Sequence, residues 1–286
     1  MTDPSYAVVI PTIGRPGLAD LVAAVDGDPA PSCIVVVDDR RTATAELDLP
    51  ETSAPLLVVR TGGRGPAAAR NAGWRAADAE WPKNGWPEID WIAFLDDDVA
   101  VPVDWCRRLV KDLADLPITV AASQAWLDVP SPSGRRPTDA ERRTMALSGA
   151  LWITADMAYR RAVLVETGGF DERFPRAFRE DSDLAIRTVR NGYRIAWGER
   201  VTTHPLASST SLRTSLRDQA RNADNALLRA KYGPDWRSLI GTTPGRTGRH
   251  LIITAAAMTA IVAVVSRRVA RASRGDHGGR GRSGRR

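Results

Sequence analysis

Four short apolar runs, Tyr6–Ile10, Ile34–Val37, Leu56–Val59 and Trp91–Leu95, each end at a turn signal or a polar cluster. Helix-like stretches, Pro16–Val25 and Pro66–Ala79, lie between them. Continuous apolar runs separated by helices predict strands buried on both faces in βαβ units, hence an α/β fold with a mostly parallel central sheet flanked by helices. Ligands of such sheets collect beyond the carboxyl ends of the strands. The chemistry is therefore expected in Pro11-Thr12, Asp38-Asp39, Thr61-Gly62-Gly63-Arg64-Gly65 and Asp96-Asp97-Asp98.

The second half is less regular. Pro130–Pro137 reads as a mobile Pro/Ser/Gly/Arg loop. Met157–Thr167 reads as a helix closed by Gly168-Gly169, Asp181–Arg190 as a second closed by Asn191-Gly192, and Ser211–Lys231 as a longer amphipathic third. A Trp-rich insertion, Trp81–Pro87, precedes the fourth strand and has no functional account. Leu251–Val265 carries no charge and spans about 22 Å as a helix at roughly 1.5 Å per residue, short of the ~30 Å hydrocarbon core of a bilayer.

The net charge of +6 suggests a polyanion partner until its distribution is read. From Ser266 to the end there are eight Arg against one Asp, so the remainder is close to neutral. A basic face across a folded body is thereby excluded, and a nucleic-acid partner is not expected. Cys33 and Cys106 are too few for a disulfide framework or a thiolate metal site and read as buried thiols. No basic, apolar leader follows Met1. A cytoplasmic location is expected, with the inner face of the cell membrane as its refinement.

Asp96-Asp97-Asp98 directly follows Phe94-Leu95, placing repelling carboxylates at a strand end. A hard divalent cation, Mn²⁺ or Mg²⁺, offsets such charge together with substrate phosphates. A solvated turn capping the next helix is the competing explanation. Glu180-Asp181-Ser182-Asp183 opens a helix, where capping alone explains acids. A carboxylate there would also suit a general base. Gly62–Asn71 is a glycine-rich turn entering a helix, a weak phosphate signal without the Walker Lys-Ser/Thr. His204, one of three histidines, reads by itself as structural.

Six segments in order resemble glycosyltransferase family 2, the inverting GT-A enzymes. They are Val8–Thr12, Val35–Asp39, Gly65–Gly73, Phe94–Asp98, Gly168–Glu172 and Glu180–Leu184, spanning roughly residues 6–205. The resemblance implies a GT-A, Rossmann-like domain over 1–205, a C-terminal helical extension over 206–249, and an apolar helix with an Arg-rich tail over 250–286. It implies a nucleotide-sugar donor, with Pro11, Thr12 and Asp39 bordering base and ribose and Arg70 near the nucleotide pocket. Asp96 and Asp98 match the family's D-x-D positions, Asp97 standing between them on the cofactor side. Asp98, Asp96 and His204 become the expected metal set. Asp181 matches the catalytic base, supported by Glu180. Arg40-Arg41-Thr42 departs from the family's small Gly-Ser turn and leaves the base contacts open.

The function expected is inverting, metal-assisted sugar transfer to an acceptor hydroxyl, with a glycan or lipid-linked molecule as acceptor. Its acceptor side would come from the Trp126–Met145 loop and the Ser148–Tyr159 segment. Residues 250–286 would supply peripheral membrane contact, Arg267, Arg268, Arg271 and Arg274 meeting anionic headgroups. A nucleotidyltransferase is the enzymatic alternative. A non-catalytic membrane-surface or nucleic-acid binder acting through the tail is the non-enzymatic one.

Overall fold

A computed structural model of the chain describes residues 3–84, 88–206, 221–242 and 247–275. The strands are β1 (Tyr6–Thr12), β2 (Cys33–Asp38), β3 (Leu56–Arg60), β4 (Trp91–Leu95), β5 (Val120–Asp128), β6 (Asp156–Arg160) and β7 (Arg194–Thr203). They form a seven-stranded sheet in the order β3-β2-β1-β4-β6-β5-β7. β3, β2, β1 and β4 run parallel, β6 runs antiparallel to both β4 and β5, and β7 runs parallel to β5. The carboxyl ends of six strands therefore share one edge, as the α/β reading requires.

The helices are α1 (Leu18–Val25), α2 (Pro66–Asn84), α3 (Trp105–Ala114), α4 (Asp139–Met145), α5 (Arg161–Thr167), α6 (Glu180–Arg190), α7 (Asn222–Tyr232), α8 (Trp236–Leu239) and α9 (Thr247–Gly275). Strand alternation divides the core. Val8, Ile10, Ile34 and Val36 point into one cluster with Leu21 and Val25 of α1 and Leu109 of α3. Ala7, Val9, Val35 and Val37 point into another with Ala69, Trp74 and Ala77 of α2. Both faces being covered, these strands need the near-continuous apolar composition that revealed them. Gly73 lets α2 lie on the sheet: a Cβ there would stand 2.4 Å from Val9 Cγ1 and 2.9 Å from Val37 Cγ2.

Two expectations are corrected. The helix expected over Met157–Thr167 is a strand to Arg160 and a helix only from Arg161. Ala158 faces one core cluster and Met157 and Tyr159 the other, so pairing between β4 and β5 overrides the helix propensity of Met and Ala. The segment expected as a loop from Trp126 begins inside β5, which ends at Asp128. β5 and β7 pair across two register irregularities, which blur the period-2 signal. Irregular backbone does follow from 129 to 137, before the capping box of Thr138 and Glu141 starts α4.

Residues to Ile240 form one compact unit and Gly241 onward a second. Leu228 of α7 and Trp236 of α8 share a core cluster with Phe174 and with Ile186 of α6. Residues 222–240 thus build on the first unit rather than standing apart as an extension from 206. Residues 211–220 of the helix expected over Ser211–Lys231 lie outside the described residues, and Asn222–Tyr232 is its described helical part. The Trp81–Pro87 insertion is α2 up to Asn84, with 85–87 outside the described residues. The tail beyond Gly275 lies outside them too. In the second unit, α9 runs through the uncharged stretch, and its side chains from Ile252 to Arg267 are exposed. Among the described residues no helix is long and apolar enough to cross a membrane.

Candidate active site

At the end of β1, Thr12 donates its hydroxyl to Asp97 Oδ2 at 2.6 Å, and the Ile13 amide donates to the same oxygen at 3.2 Å. Thr12 Oγ1 accepts from the Gly14 amide at 2.8 Å. Pro11 pairs with Val37 in the sheet. Asp97 is therefore a buried brace between the ends of β1 and β4, and burial raises its pKa against the pull of Thr12 and Arg15. The middle acid of the triplet is turned inward.

At the end of β2 the two acids have separate partners. Asp38 receives a two-pronged bond from Arg40, Nε and Nη2 each at 2.8 Å, and that guanidinium holds its carboxyl below the usual range. Arg40 also donates to the Ala45 carbonyl at 2.7 Å. Asp39 accepts from Thr61 Oγ1 at 2.6 Å and from the amides of Gly63, Arg64 and Gly65 at 2.8–2.9 Å. The glycine-rich turn is thus wrapped around a carboxylate of the protein itself. Its geometry needs glycine at residue 65, where φ is +95° and a Cβ would meet the Pro175 carbonyl oxygen at 2.5 Å.

The third assembly joins the two acidic clusters. Arg70, on α2, donates Nη2 to Asp96 Oδ1 at 2.7 Å and Nη1 to Glu180 Oε1 at 2.9 Å. Burial works against the guanidinium charge, but the two carboxylates outweigh it and raise the Arg70 pKa. Glu180 is buried, its Oε2 meets no hydrogen-bond partner among the described residues, and burial followed by the Asp181 charge pushes its pKa up to about 7. Asp181 is half-buried and accepts the Ser182 amide on Oδ1 at 2.6 Å. Burial also raises its pKa, against the opposing pull of the Ser182 amide, Arg70 and Arg179. A carboxylate so raised holds a proton more readily, which is the property a general base needs.

His204 follows β7, its amide held by the Asp128 carbonyl at 2.9 Å. Its Nδ1 lies 2.8 Å from the Pro205 carbonyl oxygen, which can only accept, so Nδ1 carries the hydrogen. In the neutral ring Nε2 then presents a lone pair to Asp98 Oδ1, 3.7 Å away. The structure thus brings Asp98 to His204, while Asp96 turns to Arg70. No group of three or more His, Cys, Asp or Glu converges as a metal cage among the described residues.

Three further contributors were not singled out individually by the sequence, although Asn71 lies in the Gly65–Gly73 segment and Tyr159 in the Ser148–Tyr159 segment. Arg15, between β1 and α1, ion-pairs with Asp98 and reaches Asp97 Oδ1 at 3.3 Å. The Tyr159 hydroxyl is buried without a hydrogen-bond partner among the described residues, and burial and then the Asp181 charge raise its pKa. Asn71 accepts from the Phe170 amide at 2.9 Å and donates to the Phe170 carbonyl at 2.8 Å, fixing the Gly168–Glu172 turn beside α2.

The model of glycosyl transferase family 2 matches residues 7–168, more than half of the chain. The pre-mycofactocin glycosyltransferases of two Mycobacterium tuberculosis strains, CDC 1551 / Oshkosh and ATCC 25618 / H37Rv, are 26% identical over 268 residues. The alignment covers 88% of this chain and 51% of theirs, so the chain spans about half the length of those relatives. Two solved structures are similar at lower identity. S. aureus TarS 1-349 has a TM-score of 0.48 at 17% identity, with 70% of this chain and 60% of that one covered. Glucosyl-3-phosphoglycerate synthase from M. tuberculosis, solved with Mn²⁺, UDP and glucosyl-3-phosphoglycerate, has a TM-score of 0.49 at 16% identity, covering 85% and 82%. With its family's segments laid along one edge of a mostly parallel α/β sheet, the chain belongs to glycosyl transferase family 2.

Proposed function

We infer that this chain transfers a sugar from a nucleotide-sugar donor to an acceptor hydroxyl with inversion, Asp181 taking the acceptor proton. The observation that carries this reading is Arg70. One buried guanidinium ties Asp96, at the donor edge of the sheet, to Glu180, next to the base. The leaving diphosphate and the attacking hydroxyl need such neighbouring sites. A single base on the face opposite the leaving group gives in-line displacement without a covalent sugar intermediate.

A divalent cation fits part of this edge. An imidazole lone pair and a carboxylate oxygen 3.7 Å apart are two acceptors facing each other, an arrangement a cation between them would satisfy. Asp98 and His204 would hold it. Asp96 would join only by sharing with Arg70. Such an ion supplies charge neutralisation to the leaving diphosphate. The chain's own residues do the rest: Asp97 braces the strand ends, Asp39 shapes the glycine turn, Arg70 orients Asp96 and Glu180, and Asp181 removes the proton.

A glycan or lipid-linked acceptor is the reading for the acceptor side. The exposed apolar stretch of α9, with Arg267, Arg268, Arg271 and Arg274 after it in the same helix, supports contact with an anionic lipid surface. For the base, Asp181→Asn is expected to lower kcat by about 10²–10⁴-fold while leaving donor binding intact. NMR of the product's anomeric configuration tests inversion. Near-wild-type turnover in Asp181→Asn, or retained configuration, rejects the reading.

A further inference from the structure

The acidic triplet is already matched by a positive charge from the protein. Arg15 pairs with one oxygen of Asp98 and, through Nε at 3.3 Å, with Asp97 Oδ1. The other Asp98 oxygen is the one facing His204. The Arg15 side chain is 42% exposed and that of Asp98 24%. Arg40 and Arg70 are different, the first pinned by Asp38 and the Ala45 carbonyl, the second buried between Asp96 and Glu180. Asp97 does not depend on Arg15, because Thr12 and the Ile13 amide hold it.

We propose that Arg15 is an exchangeable counter-ion: it occupies Asp98 in the absence of donor, yields that carboxylate to a divalent cation when the sugar nucleotide binds, and turns to the donor diphosphate. This rests on the metal-assisted reading above. An exposed ion pair contributes little to stability, so Arg15 can leave Asp98 at small cost. A cation arriving alone would have to displace a positive charge that then has no partner. A diphosphate arriving with it offers the freed guanidinium a two-pronged acceptor. Cation and nucleotide must then strengthen each other's binding, and Arg15 carries part of that coupling in both directions.

The test measures Mn²⁺ affinity by electron paramagnetic resonance, without nucleotide and with UDP or GDP, in the full chain. Arg15→Gln, on an exposed connection, is compared with wild type and with Arg41→Gln, which removes the same charge nearby but off the triplet. The expected result is several-fold tighter binding of Mn²⁺ alone to Arg15→Gln, with no change in Arg41→Gln. In the presence of Mn²⁺, nucleotide binding to Arg15→Gln is expected to weaken several-fold, with an unaltered melting curve. Equal Mn²⁺ affinity in Arg15→Gln and wild type, or an equal gain in Arg41→Gln, overturns the role of Arg15 while Mn²⁺ uptake with nucleotide keeps the metal reading. No Mn²⁺ uptake by wild type with either nucleotide removes the metal reading and this proposal with it.

Discussion

Glu180 shows how much one buried carboxyl can reveal. Its folded-state pKa, raised to about 7 by burial and the Asp181 charge, lies above the unfolded value near 4.5. The folded state then holds more protons than the unfolded one through that interval, so stability falls as pH rises across it. The contribution is fully present below the unfolded value and lost by the folded one. Glu180→Gln removes this titration. Its melting temperature relative to wild type is therefore expected to climb as pH goes from 5 to 8. A parallel offset at all pH values would mean that Glu180 does not titrate in that interval. The residue types at this edge were legible as Asp96, Asp98, Glu180, Asp181 and His204. Their pairings were not, because Arg15 and Arg70 reach these acids from a connection and a helix remote in sequence.

Among the elements, α2 is closely constrained by the sheet beneath it. Gly73 brings its backbone against Val9 and Val37, and the same helix carries Arg70 and Asn71 into the site. Gly73→Ala is expected to cost about 1–3 kcal/mol in urea unfolding, because the added methyl has no room between helix and sheet. A neutral result would show that α2 can lift without penalty. Strands β1, β2 and β4 were readable, since two-sided burial demands unbroken apolar runs, and β3 shares such a run although it lies half exposed at the sheet edge. β6 was misread as helix because Asp156–Arg160 has no β-branched residue to mark it. Its strand character comes from its neighbours.

For the whole molecule, the half of the sheet that the apolar pattern missed is held by a buried polar network. Arg200 donates to Asp156 Oδ1 at 2.9 Å, to Asp112 Oδ2 at 2.8 Å and to the Ser123 hydroxyl and carbonyl at 2.9 and 2.8 Å. Asp156 also accepts from Trp105 and Thr202. One guanidinium thus joins β5, β6, β7 and α3. Arg200→Met is expected to destabilise by about 3–5 kcal/mol in denaturant titration, because Asp156 and Asp112 would be left as buried, uncompensated charges. A loss below about 1 kcal/mol would mean the acids find other partners. The second unit has a separate test. A chain ending at Arg249 is expected to lose sedimentation with anionic vesicles that the full chain shows. Unchanged sedimentation rejects lipid contact through α9.

The sequence alone determined the parallel core, the edge where chemistry gathers, the acidic residues on it and the family, because these follow from local composition and order. It also placed the basic excess in a terminal tail. Tertiary structure alone decided what each acid meets. Three adjacent aspartates look equivalent in a row, yet Asp97 faces Thr12, Asp96 faces Arg70 and Asp98 faces His204 and Arg15. Successive side chains leaving a strand end point in different directions, and what each meets is set by segments remote in the chain, 26 residues away for Asp96 and 85 for Asp97.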